Sequence, residues 1–209
     1  MTTKPSRPKP RGLRFGPLTR RSLHLCIDMQ NLFADATPWH TPWMTRVLPA
    51  VEEVVSRFPE RTVFTRFVPP ERSQDMPGSW QRYYERWSEL TLSRLDPALI
   101  DLVPSLARFA PPAAVIDKRV YSPFVERQLL QLMRERQTDA VVITGAETDV
   151  CVLAAVLGAV DFGYRVVLVT DAICSSTDET HDALLALYHQ RFAEQIETID
   201  TETLLRHWR

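Results

Sequence analysis

Short apolar runs alternate along the chain with longer segments whose apolar residues recur at helical spacing. The runs predict six strands, at residues 23–27, 62–67, 114–116, 141–143, 165–169 and 195–199. The intervening segments predict helices, including those at residues 46–58, 124–136, 178–190 and 201–207. Because strand and helix alternate throughout, we predict an α/β fold with a doubly wound, six-stranded, mainly parallel sheet and helices on both faces.

The segment 140–163 combines a strand, a turn and a helix, and it carries a cysteine at the last junction. An apolar β-branched run predicts a buried strand, residues 144–149 predict a turn, and an Ala-rich stretch predicts a helix that ends near Gly163. Cys151 lies where the turn meets the helix, and the N–H groups at a helix start favour thiolate. We therefore predict that Cys151 is a nucleophile. The alternative is a small core residue.

Two further reactive side chains follow other predicted strands. Asp28 comes directly after the first strand and Lys118 after the third, and the carboxyl ends of parallel strands meet at one sheet edge. Taken singly, Asp28 could be a helix cap and Lys118 a solvated residue. Together with Cys151 they predict acyl transfer from an amide or similar carbonyl, through a thioester, to water. In this chemistry the carboxylate moves protons and the ammonium balances charge.

Three segments resemble those of the isochorismatase-like cysteine hydrolases, which include nicotinamidases, N-carbamoylsarcosine amidases, ureidoacrylate and biuret hydrolases, and isochorismatases. The segments read Leu-Cys-Ile-Asp-Met-Gln at 25–30, Val-Ile-Asp-Lys-Arg-Val-Tyr-Ser-Pro-Phe at 115–124 and Ile-Thr-Gly-Ala-Glu-Thr-Asp-Val-Cys-Val at 143–152. The resemblance extends over roughly residues 22–199 and implies catalytic roles for Asp28, Lys118 and Cys151. It also implies a cis peptide bond between Ala146 and Glu147, and an oxyanion hole formed by the backbone N–H groups of Glu147 and Cys151.

Departures from the family pattern narrow the predicted activity. Nicotinamidases carry a metal site with histidines after the second strand, whereas residues 65–72 contain no histidine, so we predict no metal and no cofactor. Isochorismatases of the vinyl-ether type commonly lack the nucleophilic cysteine that is present here. We therefore predict a metal-independent cysteine amidohydrolase for a small amide, carbamoyl or ureido substrate. A vinyl-ether hydrolase that uses Asp28, and a non-catalytic binding protein on the same fold, remain alternatives.

Aromatic residues supply the candidates for the substrate pocket. Residues 76–80 resemble a Gly-Ser/Thr loop that many family members place over the pocket, and core packing is an equal alternative for each aromatic. The candidates are Phe33, Trp39, Trp80, Tyr121 and Phe124. Glu147 replaces the small residue commonly found at its position, and Arg66 or Arg119 is a candidate partner for its carboxylate.

Composition and charge bear on partners and location. With 25 basic and 26 acidic residues, the chain is not expected to bind nucleic acid or membranes. Its three cysteines are widely spaced, which argues against a disulfide framework and favours a cytoplasmic location. We predict a flexible, basic, Pro-rich arm at residues 1–20 and a single hydrolase domain at residues 21–209. The arm and the aromatic insertion at residues 68–95 suggest a homo-oligomer, either a dimer or a tetramer.

Overall fold

A computed structural model describes residues 12–209, which form an α/β fold around one six-stranded sheet. All neighbouring strands are parallel, and their order across the sheet is β3-β2-β1-β4-β5-β6. The strands are β1 (Leu23–Ile27), β2 (Thr62–Phe67), β3 (Ala114–Lys118), β4 (Ala140–Ala146), β5 (Arg165–Cys174) and β6 (Ile196–Ile199). The predicted fold class is confirmed, and the sheet is parallel throughout.

Helices cover both faces of the sheet. The helices are α1 (Asn31–Ala34), α2 (Met44–Arg57), α3 (Gly78–Arg86), α4 (Pro104–Ala107), α5 (Arg127–Glu135), α6 (Cys151–Asp161), α7 (Asp178–Arg191) and α8 (Thr201–His207). Buried side chains of α2 and α8 belong to one apolar core, and those of α5 and α6 belong to the other. Each fully buried Val or Leu contributes roughly 1.5–3 kcal/mol, so these two cores hold the helices to the sheet.

Two elements differ from the sequence prediction. The single helix predicted at 124–136 is a short 3-10 helix, Pro123–Val125, followed by α5, because Glu126 between them has an extended backbone. Strand β5 continues five residues beyond the predicted 165–169. Although Thr170 and Asp171 break its apolar run, Ile173 and Cys174 still pair with β4 beyond a register shift.

A histidine lies in the interior of the sheet and is fully satisfied there. The two ring nitrogens of His24 lie 3.1 Å from the Thr62 hydroxyl and 2.8 Å from the Thr144 hydroxyl. Burial lowers the pKa of His24 to about 3, so the ring is neutral at physiological pH. These contacts on both neighbouring strands join β1 to β2 and β4 through side chains as well as through the backbone.

Glycine is required where β4 meets β1 at the carboxyl edge of the sheet. Gly145 has φ +107°, and a Cβ at this position would lie 2.1 Å from the carbonyl oxygen of Ile27. No L-residue fits this approach without moving the backbone. The chain therefore leaves β4 directly beside the end of β1, where Asp28 follows with φ +48°.

The segment before β1 packs on the far end of the sheet. Leu13 and Leu18 are buried, Leu18 pairs with Trp208, and the N–H of Phe15 donates to Glu197 at 3.2 Å. The rest of the predicted arm, residues 1–11, lies outside the described residues, and the division into arm and domain stays a prediction. No helix of the described chain is both long enough and apolar enough to cross a membrane.

Candidate active site

The three side chains predicted from strand ends meet at the carboxyl edge of the sheet. Lys118 Nζ lies 2.6 Å from Asp28 Oδ2 and 3.4 Å from Cys151 Sγ. The lysine extends from β3 across β2, where its ammonium passes 4.8 Å from the centre of the Phe67 ring. All three groups are buried, and Cys151 keeps only 6% of its surface exposed. A charged pair and a thiol therefore share a site almost closed to bulk water.

A threonine that the sequence analysis missed fixes the carboxylate. The hydroxyl of Thr65 donates to Asp28 Oδ1 at 2.5 Å, and the carbonyl of Thr65 accepts the N–H of Asp28 at 3.2 Å. Thr65 is on β2, which lies beside β1, so the two residues approach the same edge on neighbouring strands. The signal that could have found it is a hydroxyl residue near the end of a predicted strand. That signal identifies Thr65 only if β2 is also known to lie beside β1.

Burial controls the protonation of the thiol. It is the main cause that raises the pKa of Cys151, the negative charge of Asp28 adds to it, and Lys118 opposes it. The helix start therefore does not by itself make a thiolate, contrary to the simple expectation. For Lys118, burial acts to lower the pKa, but the charges of Asp28 and Cys151 outweigh it and raise the pKa overall. Burial thus favours the neutral form of the Cys151 thiol, and the charge of Asp28 favours the ammonium form of Lys118.

The turn before Cys151 is held by backbone hydrogen bonds. The peptide bond between Ala146 and Glu147 is cis. The N–H of Thr148 donates to the carbonyl of Cys174 at 2.8 Å, and the N–H of Val152 donates to the carbonyl of Glu147 at 3.0 Å. Cys151 is the first residue of α6, where backbone N–H groups have no acceptor within the helix. Such a group is suited to receive an anionic oxygen.

The side chain of Glu147 does not have the basic partner that was expected. Its Oε1 accepts the N–H of Ser176 at 3.1 Å and the hydroxyl of Thr41 at 3.4 Å. Arg66, one of the two candidate partners, instead binds Asp117 with two hydrogen bonds of 2.7 and 2.9 Å. Burial is the largest cause that raises the pKa of Glu147, and Ser176 opposes the rise.

Replacing Glu147 by glutamine is expected to raise the melting temperature at pH 7. A carboxyl group whose pKa is raised on folding stabilises the protein below its ordinary pKa of 4.5, and this stabilisation is lost as pH rises through the folded pKa. Glutamine stays neutral, so the advantage of the variant should shrink as pH falls from 7 towards 4. Thermal melts across that range measure it, with Glu53→Gln on the exposed surface as control. An advantage that does not change with pH would contradict this explanation.

Aromatic side chains from four parts of the chain pack into a cluster beside the site. Four of the five pocket candidates lie in it, and the ring centres of Trp80 and Tyr121 are 4.7 Å apart. The fifth candidate, Phe124, lies elsewhere: it packs beside Gly158 near the C-terminal end of α6 and stacks on Phe162 at 5.6 Å. The members of this aromatic cluster are Phe33, Trp39, Phe67, Trp80, Tyr83, Tyr84, Trp87 and Tyr121.

Phe67, Tyr83, Tyr84 and Trp87 were not among the predicted pocket residues. A sequence signal for three of them exists, since Trp80, Tyr83, Tyr84 and Trp87 have the i, i+3, i+4, i+7 spacing of one helix face. That face of α3 and the residue after it carry the aromatics to the cluster. Within residues 12–209 no group of three or more His, Cys, Asp and Glu side chains is arranged to hold a metal ion. The metal-free reaction itself stays a prediction.

Comparison with known proteins gives one family. The isochorismatase domain family model matches residues 22–200. A secreted isochorismatase effector from Phytophthora sojae is 40% identical over 84 residues, which are 39% of this chain and 39% of that protein. Maleamate amidohydrolase from Pseudomonas putida is 28% identical over 93 residues, 44% of each protein. The chain thus spans about two fifths of the length of the curated relatives it matches.

Solved structures share the fold at low sequence identity. A cysteine hydrolase from Pseudomonas syringae pv. phaseolicola superposes with a TM-score of 0.78 at 19% identity, covering 91% of this chain and 94% of the other. N-carbamoylsarcosine amidase from Thermoplasma acidophilum superposes with a TM-score of 0.69 at 17% identity, covering 87% and 96%. These likenesses agree with the sheet and helices described above.

Proposed function

This chain belongs to the isochorismatase family, and on that premise we propose that it is a cysteine amidohydrolase that cleaves the C–N bond of a small amide, carbamoyl or ureido substrate without a metal. The observation that carries the proposal is the position of Lys118 Nζ, 2.6 Å from the Asp28 carboxylate and 3.4 Å from the Cys151 sulfur. A buried thiol beside a buried carboxylate and a buried cation is suited to nucleophilic attack on a carbonyl. The name of the Pseudomonas putida relative, an amidohydrolase, agrees with it.

The first half of the reaction is transfer of the acyl group to sulfur. The neutral thiol of Cys151 gives its proton to Asp28 as sulfur attacks the carbonyl carbon, a use of a positioned base that contributes about 10²–10⁴-fold. The carbonyl oxygen becomes negative and is received by the backbone N–H groups of Glu147 and Cys151. Lys118 stays protonated and offsets the negative charge, which moves from carboxylate to sulfur and then to oxygen. Asp28 next protonates the nitrogen, the C–N bond breaks, and ammonia or an amine leaves.

The second half returns the enzyme to its resting state. Water enters the position that the amine has left, and the carboxylate of Asp28 accepts its proton as the water oxygen attacks the thioester. The carbon–sulfur bond breaks, sulfur takes the proton back from Asp28, and a carboxylic acid or its carbamic equivalent leaves. One water is consumed, and the thiol, the carboxylate and the ammonium are restored. The same carboxylate serves as base and acid in alternation, which requires that Thr65 hold it in place.

One alternative is supported by a relative's name. The match to the secreted isochorismatase effector favours a vinyl-ether hydrolase in which Asp28 acts as the acid and Cys151 is not needed. This alternative predicts turnover of isochorismate that survives loss of the thiol. The amidohydrolase proposal predicts the reverse, so the two are separable with one variant.

A panel of substrates tests the proposal directly. Small aliphatic and aromatic amides, carbamoyl amino acids, ureides and isochorismate are incubated with the purified protein, with and without a chelator. We expect ammonia release from at least one amide, carbamoyl or ureido compound, at a rate that the chelator leaves unchanged. Loss of activity with chelator, restored by a divalent metal, would contradict a metal-free reaction. Turnover of isochorismate alone would replace the proposal by the vinyl-ether alternative.

A further inference from the structure

The turn before the nucleophile is attached to one neighbouring segment, residues 174–181. The N–H of Thr148 donates to the carbonyl of Cys174 at 2.8 Å. The hydroxyl of Ser175 donates to the carboxylate of Asp149. This segment joins the end of β5 to the first turn of α7. A strand end and a helix start therefore both hold the turn, from the side that faces away from β1.

A histidine on α7 completes this attachment. Nδ1 of His181 lies 2.9 Å from Oγ1 of Thr148, whose side chain is fully buried. No side chain of residues 178–187 is buried, so core packing does not bring the first turns of α7 to this place. The contact between the imidazole and the hydroxyl is thus a specific polar one. The reaction proposed above gives this imidazole no role.

Thr148 occupies a sensitive place in the proposed reaction. It lies between Glu147 and Cys151, whose backbone N–H groups receive the anionic oxygen. Donors in such a site act fully only when they are held within about 0.5 Å of the productive geometry. Because Thr148 is bound through both its N–H and its hydroxyl, the turn has little freedom to rotate. A displacement of about 1 Å can lower a rate by about 100-fold.

We propose that His181 is a positioning residue, which holds the oxyanion-binding turn through the hydroxyl of Thr148. This inference rests on the proposed amidohydrolase function, because it assigns the support of the oxyanion site in that reaction. His181 contacts no reacting atom and transfers no proton. The negative oxygen develops in the transition state, so the contribution of this support should appear in kcat rather than in KM.

Substitutions at His181 test this role. His181→Ala is expected to lower kcat for the amide substrate by about tenfold to hundredfold and to change KM little. His181→Asn should recover most of this loss, because the asparagine amide offers a donor and an acceptor near the position of Nδ1. Both variants are assayed well below their melting temperatures, so that only folded protein is compared.

His189→Ala is the matched control. His189 lies on the same helix and also contacts a threonine hydroxyl, with Nε2 2.7 Å from Oγ1 of Thr198. Thr198 is on β6, at the edge of the sheet opposite β3. The control therefore removes the same kind of contact from α7 at a place that does not touch the turn. It should keep the kcat and KM of the wild type.

A reciprocal variant tests whether His181 acts through Thr148. Thr148→Val keeps the shape of the buried side chain and removes only the hydroxyl, so it should lower kcat as His181→Ala does. The double variant Thr148→Val/His181→Ala should be no slower than the slower single variant, because both substitutions break one contact. Effects on kcat that multiply would contradict the proposed route.

A small aldehyde measures the oxyanion site without turnover. The sulfur of Cys151 bonds to the carbonyl carbon of acetaldehyde or benzaldehyde, and the thiol proton passes through Asp28 to the carbonyl oxygen, which gives a hemithioacetal. Its oxygen lies where the anionic oxygen forms, so its affinity reports on the N–H groups of the turn. Protection of Cys151 from alkylation by iodoacetamide measures this affinity. We expect the Kd to rise about tenfold in His181→Ala and to stay unchanged in His189→Ala.

Several results would overturn the inference. One is a His181→Ala variant with a lower melting temperature but the kcat and aldehyde affinity of the wild type, which is the result of a purely structural role. Another is an equal loss in His181→Ala and His181→Asn. A third is a wild type that binds neither aldehyde, since no oxyanion site would then exist to be held. The expected changes in aldehyde affinity without turnover of any amide would support the inference and count against the amidohydrolase proposal alone.

Discussion

Replacement of Cys151 by alanine is expected to lower kcat/KM for the amide substrate by about 10³-fold or more, because no thioester forms without the sulfur. The fold should persist, since alanine fits at the start of an Ala-rich helix and only one small side chain is lost. Ammonia release measures the activity, and circular dichroism with a thermal melt measures the fold. The site of Cys151→Ala should still bind the substrate carbonyl, so its affinity for the substrate should be equal to or higher than that of the wild type.

Cys174→Ala is the matched control for this experiment. Cys174 is a second buried cysteine, at the end of β5, and its backbone carbonyl accepts the N–H of Thr148 in the turn before Cys151. The control should keep wild-type turnover, with a modest loss of stability from the small cavity. Substantial turnover in pure Cys151→Ala, or loss of turnover in Cys174→Ala, would show that the nucleophile has been assigned to the wrong residue.

Lys118→Met is expected to destabilise the protein by about 3–5 kcal/mol and to remove activity. Methionine has a similar length but no charge, so the buried Asp28 carboxylate loses the ammonium 2.6 Å away. Removing one partner of a buried pair leaves an uncompensated charge, which costs far more than the pair itself contributes. Urea unfolding of the variant and the wild type at neutral pH measures the change in free energy, provided that the dependence of that free energy on urea concentration is the same for both.

A double variant separates charge burial from packing. Asp28→Asn/Lys118→Met removes both charges and should recover much of the stability lost in Lys118→Met, while remaining inactive. Arg206→Met breaks an exposed pair with Glu202 and should leave the melting temperature unchanged. If the double variant is as unstable as Lys118→Met, the loss comes from packing around the lysine stem and the ion-pair account is wrong.

The sequence predicted all six strands because each is a short apolar run bounded by turn residues. Asp28, Lys118 and Cys151 could be singled out because they follow such runs. Strand order could not be read in this way, since a pattern shows that a segment is a strand but not which strand lies beside it. Thr65 was missed for that reason. Its contact with Asp28 exists only because β1 and β2 are neighbours in the sheet.

Side-chain environment was the other limit of the sequence. The helix start at Cys151 could be predicted, but the burial that raises the thiol pKa depends on tertiary packing. Phe124 was a candidate for the pocket, with core packing as an equal alternative. The 3-10 turn Pro123–Val125 carries the ring instead to Phe162 beside α6. In both cases three-dimensional packing decided the outcome over local sequence.

The position of β3 at the edge of the sheet links function to local unfolding. This strand pairs on one side only, with β2, yet it carries Lys118, whose partner Asp28 lies two strands inward. Edge segments exchange their amide hydrogens through openings that leave the rest of a protein folded. Each such opening of β3 would move Lys118 away from Asp28 and break their ion pair, while the central strands stay folded. We therefore expect enzymatic activity to be lost at a lower denaturant concentration than the one that unfolds the whole sheet.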